Sequence, residues 1–81
     1  MREIRVYEFY ELSDYERHNF TGITKNDIGS LRYYENGRLH RTDGPAIVYP
    51  DDYVEYWING IQTSKEAQEF YYSLMKLKGL I

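Results

Sequence analysis

Eighty-one residues, 42% hydrophobic and 28% charged, make one small globular domain, too apolar for disorder, in which roughly 60–65% of the unfolded surface is buried. The absence of cysteine excludes a disulfide framework, a thiolate zinc site and a cysteine nucleophile, and fits a reducing cytosol. A net charge of −3 argues against nucleic acid or anionic lipid as the main partner, and no apolar run approaches the ~18–20 residues that span a bilayer.

Residues 1–29 form an N-terminal strand and a connection. Ile4-Arg5-Val6-Tyr7-Glu8-Phe9-Tyr10 reads as a strand; its β-branched and aromatic content favours this over a helix across 3–12. A turn at Lys25-Asn26-Asp27 or Ile28-Gly29 leads into the central zone.

Residues 30–62 are punctuated by turns: Asn36-Gly37, Asp43-Gly44-Pro45, Pro50-Asp51-Asp52 and Asn59-Gly60. Asn-Gly is a strong hairpin signal, because both central residues of a type I′ turn need positive φ. Strands are expected near 30–35, 38–41, 45–49, 53–58 and 60–62, as an antiparallel meander. Ser30–Gly37 aligns without a gap on Tyr53–Gly60. Tyr33/Tyr56, Asn36/Asn59 and Gly37/Gly60 are identical, and Tyr34/Trp57 are similar. A period of roughly 20–50 residues marks stacked repeats; here there is one unit and part of a second, with the flanking segments as caps.

Residues 63–79 read as one helix packed on the sheet. Thr63-Ser64-Lys65-Glu66 matches a capping box with Thr63 as N-cap. Ala67, Phe70, Tyr71, Leu74, Met75 and Lys78 share one face by helical spacing. Lys76 and Lys78 suit the C-terminal dipole, and Gly79 is the stop. The fold class is therefore α+β: hairpins with one C-terminal packing helix, in a single domain over 1–81.

The stretch Tyr33-Tyr34-Glu35-Asn36-Gly37-Arg38-Leu39-His40-Arg41-Thr42-Asp43-Gly44-Pro45-Ala46, followed by Tyr56-Trp57-Ile58-Asn59-Gly60, resembles a repeat of small bacteriophage and large-virus proteins. It is similar to the MORN repeat, whose units are β-hairpins. The resemblance covers residues 30–62. It departs at the second copy, where Asn59-Gly60 runs into Ile61-Gln62-Thr63-Ser64 in place of His-Arg-x-Asp-Gly-Pro-Ala. A viral origin and hairpin units are what it implies; it implies little about activity.

His40, Arg41 and Asp43 are the compact group of catalytically versatile side chains. They could supply a general base, its orienting carboxylate and an anion-holding guanidinium. The preferred reading is structural, with Asp43 holding the Asp-Gly-Pro turn and Arg41 pairing with it or stacking on a tyrosine. His18 is remote in sequence and no third ligand stands at zinc spacing. Asp51, Asp52 and Glu55 supply too few ligands for calcium. No phosphate loop or nucleophile-elbow motif is present. No catalytic residue, metal or cofactor is assigned, and the chain is not expected to be an enzyme.

Ten tyrosines, three Phe and one Trp exceed what hairpins need, so some aromatics are expected to face outward as a binding surface. Candidate binding residues are Tyr33, Arg38, His40, Arg41, Asp43 and Trp57. The favoured function is a non-enzymatic phage protein that binds and inhibits or redirects a host protein, as an anti-defence or takeover factor in the cytoplasm of the infected cell. One alternative is a nucleotide- or small-ligand-sequestering protein using Arg38, His40 and Arg41 for phosphate and Tyr33 or Trp57 for a base. The other is a homodimerising structural module. Neither nucleic acid nor a membrane is an expected partner.

Overall fold

Both Asn-Gly pairs turn with positive φ at each residue, +52° and +78° at Asn36-Gly37 and +50° and +81° at Asn59-Gly60, as type I′ hairpins require. They lie in a computed structural model that describes residues 5–81. The strands are β1 (Val6–Glu8), β2 (Gly22–Lys25), β3 (Leu31–Glu35), β4 (Arg38–Leu39), β5 (Ile47–Val48), β6 (Val54–Ile58) and β7 (Ile61–Thr63). The helices are α1 (Asp14–Asn19) and α2 (Lys65–Leu77). The chain is a small α+β fold: a seven-stranded, mostly antiparallel sheet of order β1-β2-β3-β5-β6-β7, with β4 also on β3 and α2 at the C-terminal end.

The N-terminal third departs most from the expected meander. Ile4 lies outside the described residues, and the strand is only Val6–Glu8. It stops because the Glu8 backbone N–H donates to Glu11 Oε1 at 2.7 Å, closing a 3-10 turn over Phe9–Glu11. A second reciprocal cap then starts α1: Ser13 Oγ accepts from the Glu16 N–H, and Glu16 Oε1 accepts from the Ser13 N–H. The bond from the Ser13 backbone N–H foremost, with the Ser13 hydroxyl second, holds the Glu16 carboxyl below the usual glutamate range. The excursion through α1 returns the chain so that β1 pairs with β2 in parallel, as only a long crossover permits. Neither β2 nor α1 was expected.

Register fixes the two faces. Thr24 is opposite Arg32, Arg32 opposite Ile47, and Ile47 opposite Glu55, so Arg32, Tyr34, Glu55 and Trp57 share one face by alternation. Ile23, Tyr33, Val48, Val54 and Tyr56 share the other. The N-terminal turn and α1 cover the first face, where Phe20 meets Tyr7 and Tyr34 edge-on at centroid distances of 5.3 and 6.0 Å. α2 covers the second face, contacting β6. Two short layers thus bury parts of opposite faces, and the core is thin: Leu12, Ile23, Ala46 and Ile47, with buried Thr24, Ser30, His40 and Gln68.

The strands expected at 38–41 and 45–49 shorten to β4 and β5 because they occupy one lane between β3 and β6. Tyr33 binds both: its N–H donates to Ala46 O at 2.8 Å, and its carbonyl accepts from His40 N–H at 3.0 Å. On the other side, Arg41 N–H donates to Trp57 O and Ala46 N–H to Glu55 O. The lane is one broken strand, and residues 41–45 bulge out of it.

α2 differs from expectation at its start and in its rotation. Ser64, rather than Thr63, is the N-cap, with its Oγ accepting from Ala67 N–H at 3.1 Å, because Thr63 is still paired to Tyr56 in the sheet. The inward face carries buried Gln68 and half-buried Tyr71, Tyr72 and Met75, one residue round from the apolar stripe chosen by periodicity. Ala67 and Phe70 are exposed instead. The helix stops as expected at Gly79 (φ +73°), where Leu80 N–H donates to Met75 O and Gly79 N–H to Lys76 O, the Schellman pattern.

The Asn36-Gly37 turn sits against the C-terminal end of α1, where a Cβ on Gly37 would collide with the His18 carbonyl. Gly79 has the same left-handed φ but nothing near it. Gly79→Ala should therefore cost about 1–2 kcal/mol, and Gly37→Ala about 3–4 kcal/mol or more. Urea denaturation of the two variants measures the difference; equal losses would mean the turn does not dock on α1.

Candidate functional site

The bulge at 41–45 is fastened from within and from α2. Arg41 Nε donates to Asp43 Oδ1 at 2.9 Å and its Nη1 to Pro45 O at 3.2 Å, while the guanidinium lies 4.0 Å over the Tyr33 ring. From α2, Gln68 Nε2 donates to Arg41 O at 3.1 Å and to Gly44 O at 2.7 Å. Gln68 is 4% exposed. One amide therefore satisfies two loop carbonyls that the sheet cannot reach, which explains the rotation of the helix. A groove of about 450 Å³ remains beside the loop, lined by residues that include Thr42, Asp43, Tyr56, Lys65 and Tyr72.

His40 points elsewhere. Its Nδ1 accepts from the Asn59 N–H at 2.9 Å, so the ring proton sits on Nε2, 3.7 Å from Glu35 Oε2. Tyr71 of α2 meets the ring edge-on at 6.1 Å. Next to it, Leu39 O accepts from Gly60 N–H at 2.8 Å. The first hairpin is held by the same pair of bonds: Thr21 Oγ1 accepts from Asn36 N–H at 3.0 Å, and Phe20 O from Gly37 N–H at 2.8 Å. A side-chain acceptor and the preceding carbonyl thus latch each Asn-Gly turn onto the segment before it.

Of the residues singled out from sequence, Tyr33, Arg41 and Asp43 come together, and their polar atoms are largely spent on one another and on the loop. His40 is buried as the latch. Arg38 is exposed, its side chain against the Gly60 turn. Trp57 lies on the opposite face from Tyr33. There its Nε1 donates to Glu55 Oε1 at 2.9 Å, and Tyr49 O–H donates to Glu55 Oε2 at 3.0 Å. The bond to Glu55 holds the Tyr49 phenol above the usual tyrosine range. Among the described residues no three His, Cys, Asp or Glu side chains are grouped to hold a metal ion.

A group of exposed aromatics stands at the other end of the sheet. Asn26 folds its loop by accepting from Gly29 N–H with its carbonyl and from Ser30 N–H with Oδ1, which turns Ile28 outward, 69% exposed. Asp51 Oδ1 accepts from Tyr53 N–H in the neighbouring turn, where Asp52 takes φ +71°, and Tyr53 is 60% exposed. Its ring lies 5.6 Å from that of Tyr49. Phe9 and Tyr10, the latter 71% exposed, line a hollow with Ile28; on the far side of Ile28 a second hollow runs to Tyr49, Pro50 and Tyr53. Ile28 joins the two into one aromatic rim, bordered by Asp27, Asp51 and Asp52. None of its residues is among the six candidate binding residues taken from the sequence. The available signal was large apolar side chains inside turn-forming clusters, where packing does not call for them.

Compared with known proteins, the chain matches no family model, no curated protein and no solved structure.

Replacing Gln68 with Leu keeps volume but leaves Arg41 O and Gly44 O without their donor. A loss of about 2–4 kcal/mol is expected, with faster amide exchange confined at first to residues 40–46; unchanged stability would contradict the fastening. A Tyr49 pKa raised above the unfolded value means that the Glu55 bond stabilises fully below the ordinary tyrosine range. Its contribution is lost as pH climbs through the raised value. Ultraviolet titration should show one late-ionising tyrosine, and Glu55→Gln should bring it back among the others. A late tyrosine that persists in E55Q would contradict the assignment.

Proposed function

We propose that the chain is a non-enzymatic protein-binding module whose contact surface is the rim of Phe9, Tyr10, Ile28, Tyr49, Pro50 and Tyr53. The observation that carries this reading is the exposure of Tyr10, Ile28 and Tyr53 side by side. Large rigid side chains of this kind dominate binding hot spots. Asp27, Asp51 and Asp52 border the rim, so a complementary partner presents an apolar centre flanked by Lys or Arg. The resemblance of residues 30–62 to repeats of phage and large-virus proteins supports a host protein as that partner, bound and inhibited or redirected in the cytoplasm of the infected cell.

Catalysis finds little support. His40 is spent on the Asn59 N–H, and Arg41 on Asp43, Pro45 and Tyr33. The nucleotide reading divides its own residues, since Tyr33 and Trp57 lie on opposite faces. No helix among the described residues is long and apolar enough to cross a membrane.

With a partner isolated from host lysate, Tyr53→Ala and Ile28→Asp should each weaken binding at least tenfold while leaving the denaturation midpoint unchanged. Arg41→Ala should cost stability more than affinity. Binding that survives both rim variants, or that follows Arg41 and not the rim, would overturn the assignment.

A further inference from the structure

We infer that the groove between α2 and the bulge at 41–45 is a binding site for a neutral sugar of the hexose class. The groove has a volume of about 450 Å³, within the range of small-molecule sites. Its lining includes Lys65, Gln68, Glu69 and Tyr72 of α2, Asp43 of the bulge and Tyr56 of β6. It shares no residue with the aromatic rim.

Gln68 is the observation that points to a ligand. The side chain is 4% exposed, and both Nε2 protons are spent, on Arg41 O and Gly44 O. Those two carbonyls fix the amide's orientation and leave Oε1 as an acceptor with no donor among the described residues. Oε1 is nevertheless not sealed from solvent, and the residue borders the groove. A rigid, nearly buried acceptor at the edge of a cavity calls for an N–H or O–H supplied from outside.

Charge decides which class of donor suits it. Each carboxylate in the lining has a compensating cation. Arg41 Nε donates to Asp43 Oδ1 at 2.9 Å, and Lys65 stands one helical turn before Glu69. Lys76 already lies 5.9 Å over the Tyr72 ring. A cationic ligand therefore finds no uncompensated carboxylate, and an anion meets both Asp43 and Glu69. A neutral polyol meets neither obstacle, because every hydroxyl both donates and accepts. Its hydroxyls donate to Gln68 Oε1, Asp43 and Glu69 and accept from Lys65. Tyr56 and Tyr72, both half-buried, add ring surface for the C–H faces of a pyranose and a phenol to bond its rim.

The groove is open and the contacts few, so a single hexose should bind with a Kd on the order of 1 mM. Amide NMR titration of the full chain with glucose, galactose, mannose and N-acetylglucosamine, each to about 50 mM, tests this. Arginine and inorganic phosphate serve as the charged probes. At least one sugar should give saturable shifts at residues 42–44, 56 and 65–73. Glu69→Ala and Lys65→Ala, both at exposed positions, should each weaken that sugar several-fold with unchanged circular dichroism. Tyr53→Ala, on the rim, should leave it unaffected, so failure of the rim as a contact surface and failure of this site are separable. No saturable shift with any of the four sugars would overturn the proposal. So would sugar binding indifferent to both E69A and K65A, or arginine or phosphate binding there more tightly than every sugar.

Discussion

One buried amide holds the middle of this fold together. The strand lane between β3 and β6 is broken by five residues that leave the sheet, and a bulge of that kind exposes backbone carbonyls next to a hydrophobic layer. Gln68 answers two of them at once, on Arg41 and Gly44, and in doing so sets the rotation of α2. The helix therefore turns a glutamine inward and a phenylalanine outward, against its own apolar periodicity. A buried polar donor with its hydrogen bonds made outweighs the burial of one more aromatic ring, because the alternative is two unpaired carbonyls at about 1–3 kcal/mol each.

The His-Arg-x-Asp-Gly-Pro-Ala segment then acquires a division of labour. Arg41, Asp43 and Pro45 close the bulge on itself over Tyr33. His40 works on the next hairpin by accepting the Asn59 N–H, as Thr21 accepts the Asn36 N–H. Each Asn-Gly turn is held at the same two donors by the segment that precedes it, so the docking rule is shared although the acceptors differ. Such a rule could be extended along a chain; here α2 follows the second turn and covers the sheet face.

Legibility in the sequence followed the local character of each signal. The Asn-Gly turns and the Gly79 stop were readable because positive φ is a demand of one or two residues. The α1 cap at Ser13 and Glu16 had the spacing used to find the start of α2, but it introduces only six residues with no apolar stripe. β2, four residues long, and the parallel pairing of β1 with β2 depend on where α1 returns the chain, which no local pattern states. His40, Arg41 and Asp43 were legible as a group; that His40 faces away from the other two was not, because it is decided by a donor nineteen residues further on. Ile28 escaped notice because alternation assigns a face to strand residues and none to turn residues; Tyr53 reads from sequence as the first residue of a strand at 53–58 on the face of Glu55 and Trp57, but β6 begins at Val54 and leaves it in the turn.

The central claim is that the most conspicuous motif maintains the fold while the contact surface lies at the far end of the sheet. Hydrogen–deuterium exchange of the chain, free and bound to its partner, addresses this directly. The account predicts new protection at residues 9–11, 26–29 and 49–53, with little change across 38–46, which is already held by Gln68 and Arg41. Protection concentrated on 38–46, with the aromatic rim unchanged, would contradict it.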